Sequence, residues 1–137
     1  MEKTFGIIKP DATAAGNTGK ILDSIESNGF RIIGLKKILM SKKTARQFYA
    51  VHKERPFYND LTDFMSSGPC LVMVLEKDNA IKAWRELMGA TNPAAAAEGT
   101  LRKRFGASID NNAVHGSDAP ETAIQEIAFF FAEMELT

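Results

Sequence analysis

Cysteine is nearly absent from this sequence: Cys70 is the only one among 137 residues. A lone thiol excludes an intramolecular disulfide framework and a cysteine-rich zinc site, and it fits a reducing compartment. Histidine is almost as scarce, with two, so no His/Cys cluster with metal-ligand spacing is present. Net charge is missing as well. Seventeen basic residues balance seventeen acidic ones, which gives no general attraction to nucleic acid or to an anionic membrane surface. No run approaches the 18 or so apolar residues of a membrane span, and the start, Met1-Glu2-Lys3-Thr4-Phe5, is too charged for a secretory leader. A cytoplasmic protein without membrane contact is expected. Any anion site must come from a few locally placed cations.

What is present is one domain, residues 1–137, with ordinary globular composition. Phe5–Ile8 reads as a strand ending at the polar turn Lys9-Pro10-Asp11. Asn17 or Thr18 starts a helix with Ile21, Leu22 and Ile25 on its apolar face, stopped by Asn28-Gly29. Phe30–Met40 reads as a second strand. Ser41 caps a helix carrying Ala45, Phe48, Tyr49 and His52 at helical spacing. Arg55-Pro56-Phe57-Tyr58 breaks it, and Leu61, Phe64 and Met65 mark a short helix. Cys70–Leu75 is apolar on both faces, as a central strand must be.

Asp78 is expected to cap the next helix, with Ala80, Ile81, Trp84, Leu87 and Met88 on its stripe. Between Gly89 and Ala113 periodicity is lost except around Thr100–Phe105; so long an irregular stretch in a small domain is usually functional or disordered. The last helix carries Asp118 as its expected cap, Pro120 in its first turn and Glu121 beyond. Its buried stripe is expected to be Ala123 or Ile124, Ile127, Ala128 and Phe131. This order of strands and helix-length crossovers predicts an α+β fold of the βαββαβ type.

His115 stands between a short apolar segment and a helix N-terminus, where unpaired N–H groups favour an anion. Gly116 lets backbone and ligand approach closely, and Glu126 can reach back to orient the imidazole. Taken alone, His115 reads equally well as an ordinary loop histidine, and His52 as a packed or surface one. Lys9, Arg85 and Arg102 are each most simply solvated cations. Together with Thr91-Asn92-Pro93 they can clamp a polyphosphate, because guanidinium groups bind phosphate oxygens in pairs. The stretch Gly16-Asn17-Thr18-Gly19-Lys20 is not a phosphate loop: Ala14 stands where that motif needs its first glycine, and Ile21 where it needs Ser or Thr.

The block Asn111-Asn112-Ala113-Val114-His115-Gly116-Ser117-Asp118 resembles the active-site signature of the nucleoside diphosphate kinases. Ile7-Ile8-Lys9-Pro10-Asp11-Ala12, Arg55-Pro56-Phe57-Tyr58, Ser67-Gly68-Pro69, Gly89-Ala90-Thr91-Asn92-Pro93 and Gly99-Thr100-Leu101-Arg102 match the family in order and spacing. The resemblance implies a ferredoxin-like fold with a four-stranded antiparallel sheet. It also implies ping-pong transfer of the γ-phosphate of a nucleoside triphosphate to a nucleoside or deoxynucleoside diphosphate.

Under it His115 is the nucleophile, oriented by Glu126 and Ser117. Lys9, Tyr49, Arg85, Thr91 and Arg102 contact phosphates, and Lys9 and Asn112 hold the ribose. Phe57 stacks on the base with Ile109 opposite. Magnesium (Mg2+) is the implied cofactor, bridging the phosphates without protein side-chain ligands. The implied assembly is a homo-oligomer, a tetramer or hexamer of dimers, with no specific nucleic acid partner. Lys103-Arg104 and Glu98 depart from the family's pattern, and the chain ends at Thr137 without the extension of longer, hexameric relatives; all bear on assembly.

The chemistry suits such a site. Phosphoryl transfer has a loose, charge-rich transition state that positioned cations stabilise. Neutral imidazole is a competent nucleophile near pH 7, the unperturbed side chain titrating at about 6.5. A non-catalytic nucleotide- or nucleic-acid-binding module would show aromatics paired on strands or lack the nucleophile. A phosphohistidine carrier would keep His115 without needing Phe57.

Overall fold

The computed structural model describes residues 1–137. Four strands, β1 (Glu2–Ile8), β2 (Arg31–Ile38), β3 (Cys70–Lys77) and β4 (Val114–Gly116), form one sheet in the order β2-β3-β1-β4. Every neighbouring pair is antiparallel. Side chains alternate across a strand, so β3 feeds two cores. Leu71, Met73 and Leu75 join Ile21, Ile25, Phe30, Trp84 and Leu101 on one face. Cys70, Val72 and Val74 join Phe5, Ile7, Ala45, Tyr49, Met65 and Phe131 on the other. The apolar run predicted to be a central strand is one, covered by helices on both sides.

The helices are α1 (Pro10–Ala14), α2 (Thr18–Ser27), α3 (Lys42–Phe48), α4 (Tyr58–Met65), α5 (Ala80–Met88), α6 (Leu101–Phe105) and α7 (Pro120–Phe130). With β1, α2, β2, β3, α5 and β4 as its frame, this is the expected α+β, ferredoxin-like arrangement. Ser41 caps α3, accepting from the Thr44 N–H at 3.0 Å. Four local readings need correction. Lys9-Pro10-Asp11 is not only a turn: Pro10, with its φ preset and no N–H to lose, opens α1. Asp78 does not cap α5. Asn79 adopts a left-handed backbone there (φ 53°), and the Glu2 carboxylate of β1 accepts the Ile81 N–H at 2.9 Å.

Asp118 does not cap α7 either. The chain stays extended through Ala119, and Thr122 Oγ1 accepts the Ala119 N–H at 2.9 Å. The expected stripe of α7 needs only a partial correction: Ala123 and Phe131 are buried and Ile127 packs against the core that holds Phe131, but Ala128 is exposed and Ile124, the alternative to Ala123, is 70% exposed. Glu126 and Phe130 turn inward beside that stripe. Phe130 stacks on Phe5 of β1 at 5.5 Å and 4°, and Glu126 meets His115. That placement sets a carboxylate against the sheet edge.

Candidate active site

β4 is a short edge strand paired only with β1, with Ile7 opposite His115. Val114 points into one core, and His115 points to the opposite face, against Phe5, Phe48 and Tyr49. Three aromatic rings therefore wall the imidazole, with centroids 5.7–6.2 Å away, while its side chain keeps 20% exposure. The ring is neither sealed in the core nor free to swing.

Its orientation is set by hydrogen bonds. Glu126 Oε1 lies 3.0 Å from His115 Nε2 and 2.7 Å from Ser117 Oγ. Burial works to raise the Glu126 pKa, but the bonds from His115 and Ser117 outweigh it and hold the carboxyl below its ordinary value. An ionised carboxylate oxygen only accepts, so Nε2 carries the proton and the Nδ1 lone pair is left available.

Lys9, Asn112 and Thr91 form a second line. The Lys9 ammonium donates to Asn112 Oδ1 at 2.8 Å, and Asn112 Nδ2 donates to the Thr91 carbonyl at 3.1 Å. Arg102 forms a third. Its guanidinium donates to the Gly89 carbonyl at 3.0 Å and to the Val114 carbonyl at 2.9 Å, next to the histidine, while its buried Nε has no partner. Arg102, Arg85, Thr91 and Gly116 also line an open cleft of about 940 Å3. The Tyr49 ring meets His115 edge-on at 6.2 Å. Burial and then the Glu126 charge push its phenol pKa up, so the unpartnered hydroxyl stays a donor.

The expected residues thus gather around positions 112–117, with four outside this hydrogen-bond network: Tyr49, which meets His115 only ring to ring, and three exposed ones. Arg85 is exposed on α5, Phe57 is 45% exposed at the start of α4, and Ile109 is 57% exposed in the loop before β4.

Two contributors were not legible beforehand. Asp11 Oδ2 accepts the Ala113 N–H at 3.1 Å and the Ala113 carbonyl accepts the Lys9 N–H at 2.8 Å. These bonds hold Ala113 at φ 74°, a left-handed conformation costing an alanine roughly 1–2 kcal/mol. Trp84 Nε1 donates to the His115 carbonyl at 3.2 Å. Neither pairing has a signal in local sequence. Gly116, expected to make room for ligand, instead makes room for α5: a Cβ there would meet Trp84 and Met88 at 2.5–2.6 Å, so its smallness lets α5 pack on β4.

The family model described as nucleoside diphosphate kinase matches residues 2–136. The chain belongs to the nucleoside diphosphate kinase family. It is 62% identical over 136 residues to the nucleoside diphosphate kinase of Geobacter sulfurreducens, and 63% identical over 136 residues to that of Syntrophotalea carbinolica. Each alignment covers 99% of both chains. Its fold matches the crystal structure of the Aquifex aeolicus nucleoside diphosphate kinase with a TM-score of 0.97 at 45% identity, covering 99% of each chain. The Halobacterium salinarum nucleoside diphosphate kinase, solved in complex with CDP, matches with a TM-score of 0.95 at 38% identity, over 99% of this chain and 91% of that one. Family membership makes the chain an enzyme, a nucleotide-binding phosphotransferase acting on nucleoside diphosphates.

Proposed function

We propose that His115 takes the γ-phosphate of a nucleoside triphosphate, typically ATP, and passes it to a nucleoside or deoxynucleoside diphosphate in a ping-pong cycle. The observation that carries this reading is the single Glu126 oxygen accepting from both Ser117 and His115 Nε2. In the first half-reaction the Nδ1 lone pair forms a bond to the γ-phosphorus. The phosphorus–oxygen bond to the β-phosphate breaks, and the diphosphate leaves with that electron pair. In the second, a terminal oxygen of the acceptor diphosphate attacks the same phosphorus and the N–P pair returns to Nδ1. The two halves are near mirror images, so neither needs a large driving force.

The other residues supply charge and position. Lys9, Arg85 and Arg102 face the phosphates with Thr91, and the Tyr49 hydroxyl donates to the phosphoryl group held on His115. Such preorganised donors act where transition-state charge collects. Lys9 and Asn112 hold the ribose, and Phe57 stacks on the base with Ile109 across from it. No three His, Cys, Asp or Glu side chains converge on a point that could hold a metal ion. Magnesium bound with the nucleotide would therefore be held by the phosphates themselves, neutralising their charge. Association into a homo-oligomer of dimers is favoured by the exposed Leu35 on the free edge strand β2, and the lone buried thiol of Cys70 suits the cytoplasm.

The test is to mix the protein with magnesium, ATP and GDP and follow GTP. ATP alone should give an acid-labile phosphoprotein that GDP discharges. His115→Ala should lose both signals; a variant retaining most of its turnover would overturn the assignment.

A further inference from the structure

The chemistry above uses only one of the two histidines. His52 ends the short helical turn Ala50–His52 after α3 and is half-buried. Its ring contacts are aromatic on two sides. It lies 6.4 Å from the Tyr49 ring at 26°, nearly parallel, and 5.4 Å from the Phe57 ring at 56°. These neighbours differ in freedom: Tyr49 is 6% exposed and locked in the core, whereas Phe57 is 45% exposed. Phe57 is also the residue before α4, and its side chain makes no capping bond there. His52 is the ring that connects the exposed aromatic to the buried one.

We infer that His52 is a positioning residue that braces the Phe57 ring against Tyr49 and so sets the affinity for the nucleotide base without touching it. The inference rests on the reading of Phe57 as the base platform. An unbraced, half-exposed phenyl ring samples several rotamers, and ordering it on binding is charged against affinity. Aromatic pairs of this geometry hold each other in place with modest energy. The base is held alike in ground and transition states, so a looser platform raises KM and leaves kcat alone.

Steady-state kinetics with GDP and ADP on His52→Ala, His52→Gln, His52→Phe, Phe57→Ala and the double variant His52→Ala/Phe57→Ala test this. His52→Ala and His52→Gln should raise KM roughly three- to tenfold with kcat within about twofold, the range set by one lost aromatic pair. His52→Phe, which restores a flat ring, should bring KM back to within about twofold of the parent. In the Phe57→Ala background, His52→Ala should add nothing, as expected for residues acting through one another. Unchanged KM in a folded His52→Ala variant, failure of His52→Phe to rescue, or an equal KM increase in the Phe57→Ala background would each overturn the brace. A fall in kcat at constant KM would overturn it too, moving the effect to Tyr49 and His115. Should Phe57→Ala alone leave KM unchanged, the base platform itself fails and the brace falls with it; that variant keeps His52 intact, so the two failures are told apart.

Discussion

The Lys9 ammonium donates to the Asn112 side-chain oxygen at 2.8 Å, joining residues 103 positions apart in sequence. Lys9 is 8% exposed. Burial first, and then the Arg102 charge, lower its pKa from 10.5 to about 8, with Asp11 and Asp110 pulling the other way. An incoming phosphate favours the charged form, so nucleotide binding draws a proton onto Lys9 when the free protein has lost it. Calorimetry in buffers of different ionisation enthalpy should show uptake of about half a proton near pH 8, approaching one near pH 9 and vanishing at pH 6.5. Lys9→Met should abolish the uptake. In the free protein the folded state holds fewer protons than the unfolded one between about pH 8 and 10.5, so Lys9 makes stability rise with pH across that window.

Glu126→Gln keeps the shape of the His115 partner and removes its charge. Because the folded carboxyl titrates below its ordinary value, its contribution is present above about pH 4.3, the unfolded value, and is lost as pH falls through the lower folded one. Glu126→Gln should cost about 1 kcal/mol in denaturant unfolding at pH 7, with the gap closing below pH 4. Turnover should fall at least tenfold, because the imidazole loses the group that fixes its tautomer. A constant stability gap from pH 3 to 7 would contradict this account.

Gly116→Ala would drive a methyl group into Trp84, which is fully buried, and into Met88. The Met88 methyl can swing aside, but the buried indole cannot, so a loss of roughly 1–3 kcal/mol is expected, as for other overpacked cores. The Trp84 bond to the His115 carbonyl is strained at the same time, so kcat should fall along with the urea midpoint. Parental stability in this variant would show that α5 shifts freely on β4.

On the proposed reading, Phe57→Ala removes a stacking surface and no hydrogen bond to a base edge. Base–aromatic stacking is worth roughly 1–3 kcal/mol and tolerates any base. KM for adenine, guanine, cytosine and uracil nucleotides should therefore rise by similar factors. A large change in the ATP-to-CTP preference would mean that a base edge is being read.

Features that depend on neighbouring residues were legible in the sequence alone. The two-faced apolar run Cys70–Leu75 made β3 central, Ser41 capped α3, and the irregular stretch after Gly89 delivered Thr91, Arg102 and Asn112 to the site. Each follows from local hydrogen-bonding geometry and side-chain alternation. The motif block around His115 likewise pointed to the imidazole that we propose does the chemistry.

Tertiary structure decided everything that depends on a partner far along the chain. Glu2 caps α5 in place of Asp78, Asp11 and Lys9 hold Ala113 left-handed, and α7 settles with Phe130 stacked on Phe5. Helix caps and helix rotation are worth only about 1 kcal/mol or so locally. A single long-range contact outweighs that, which is why such choices cannot be read from a window of sequence.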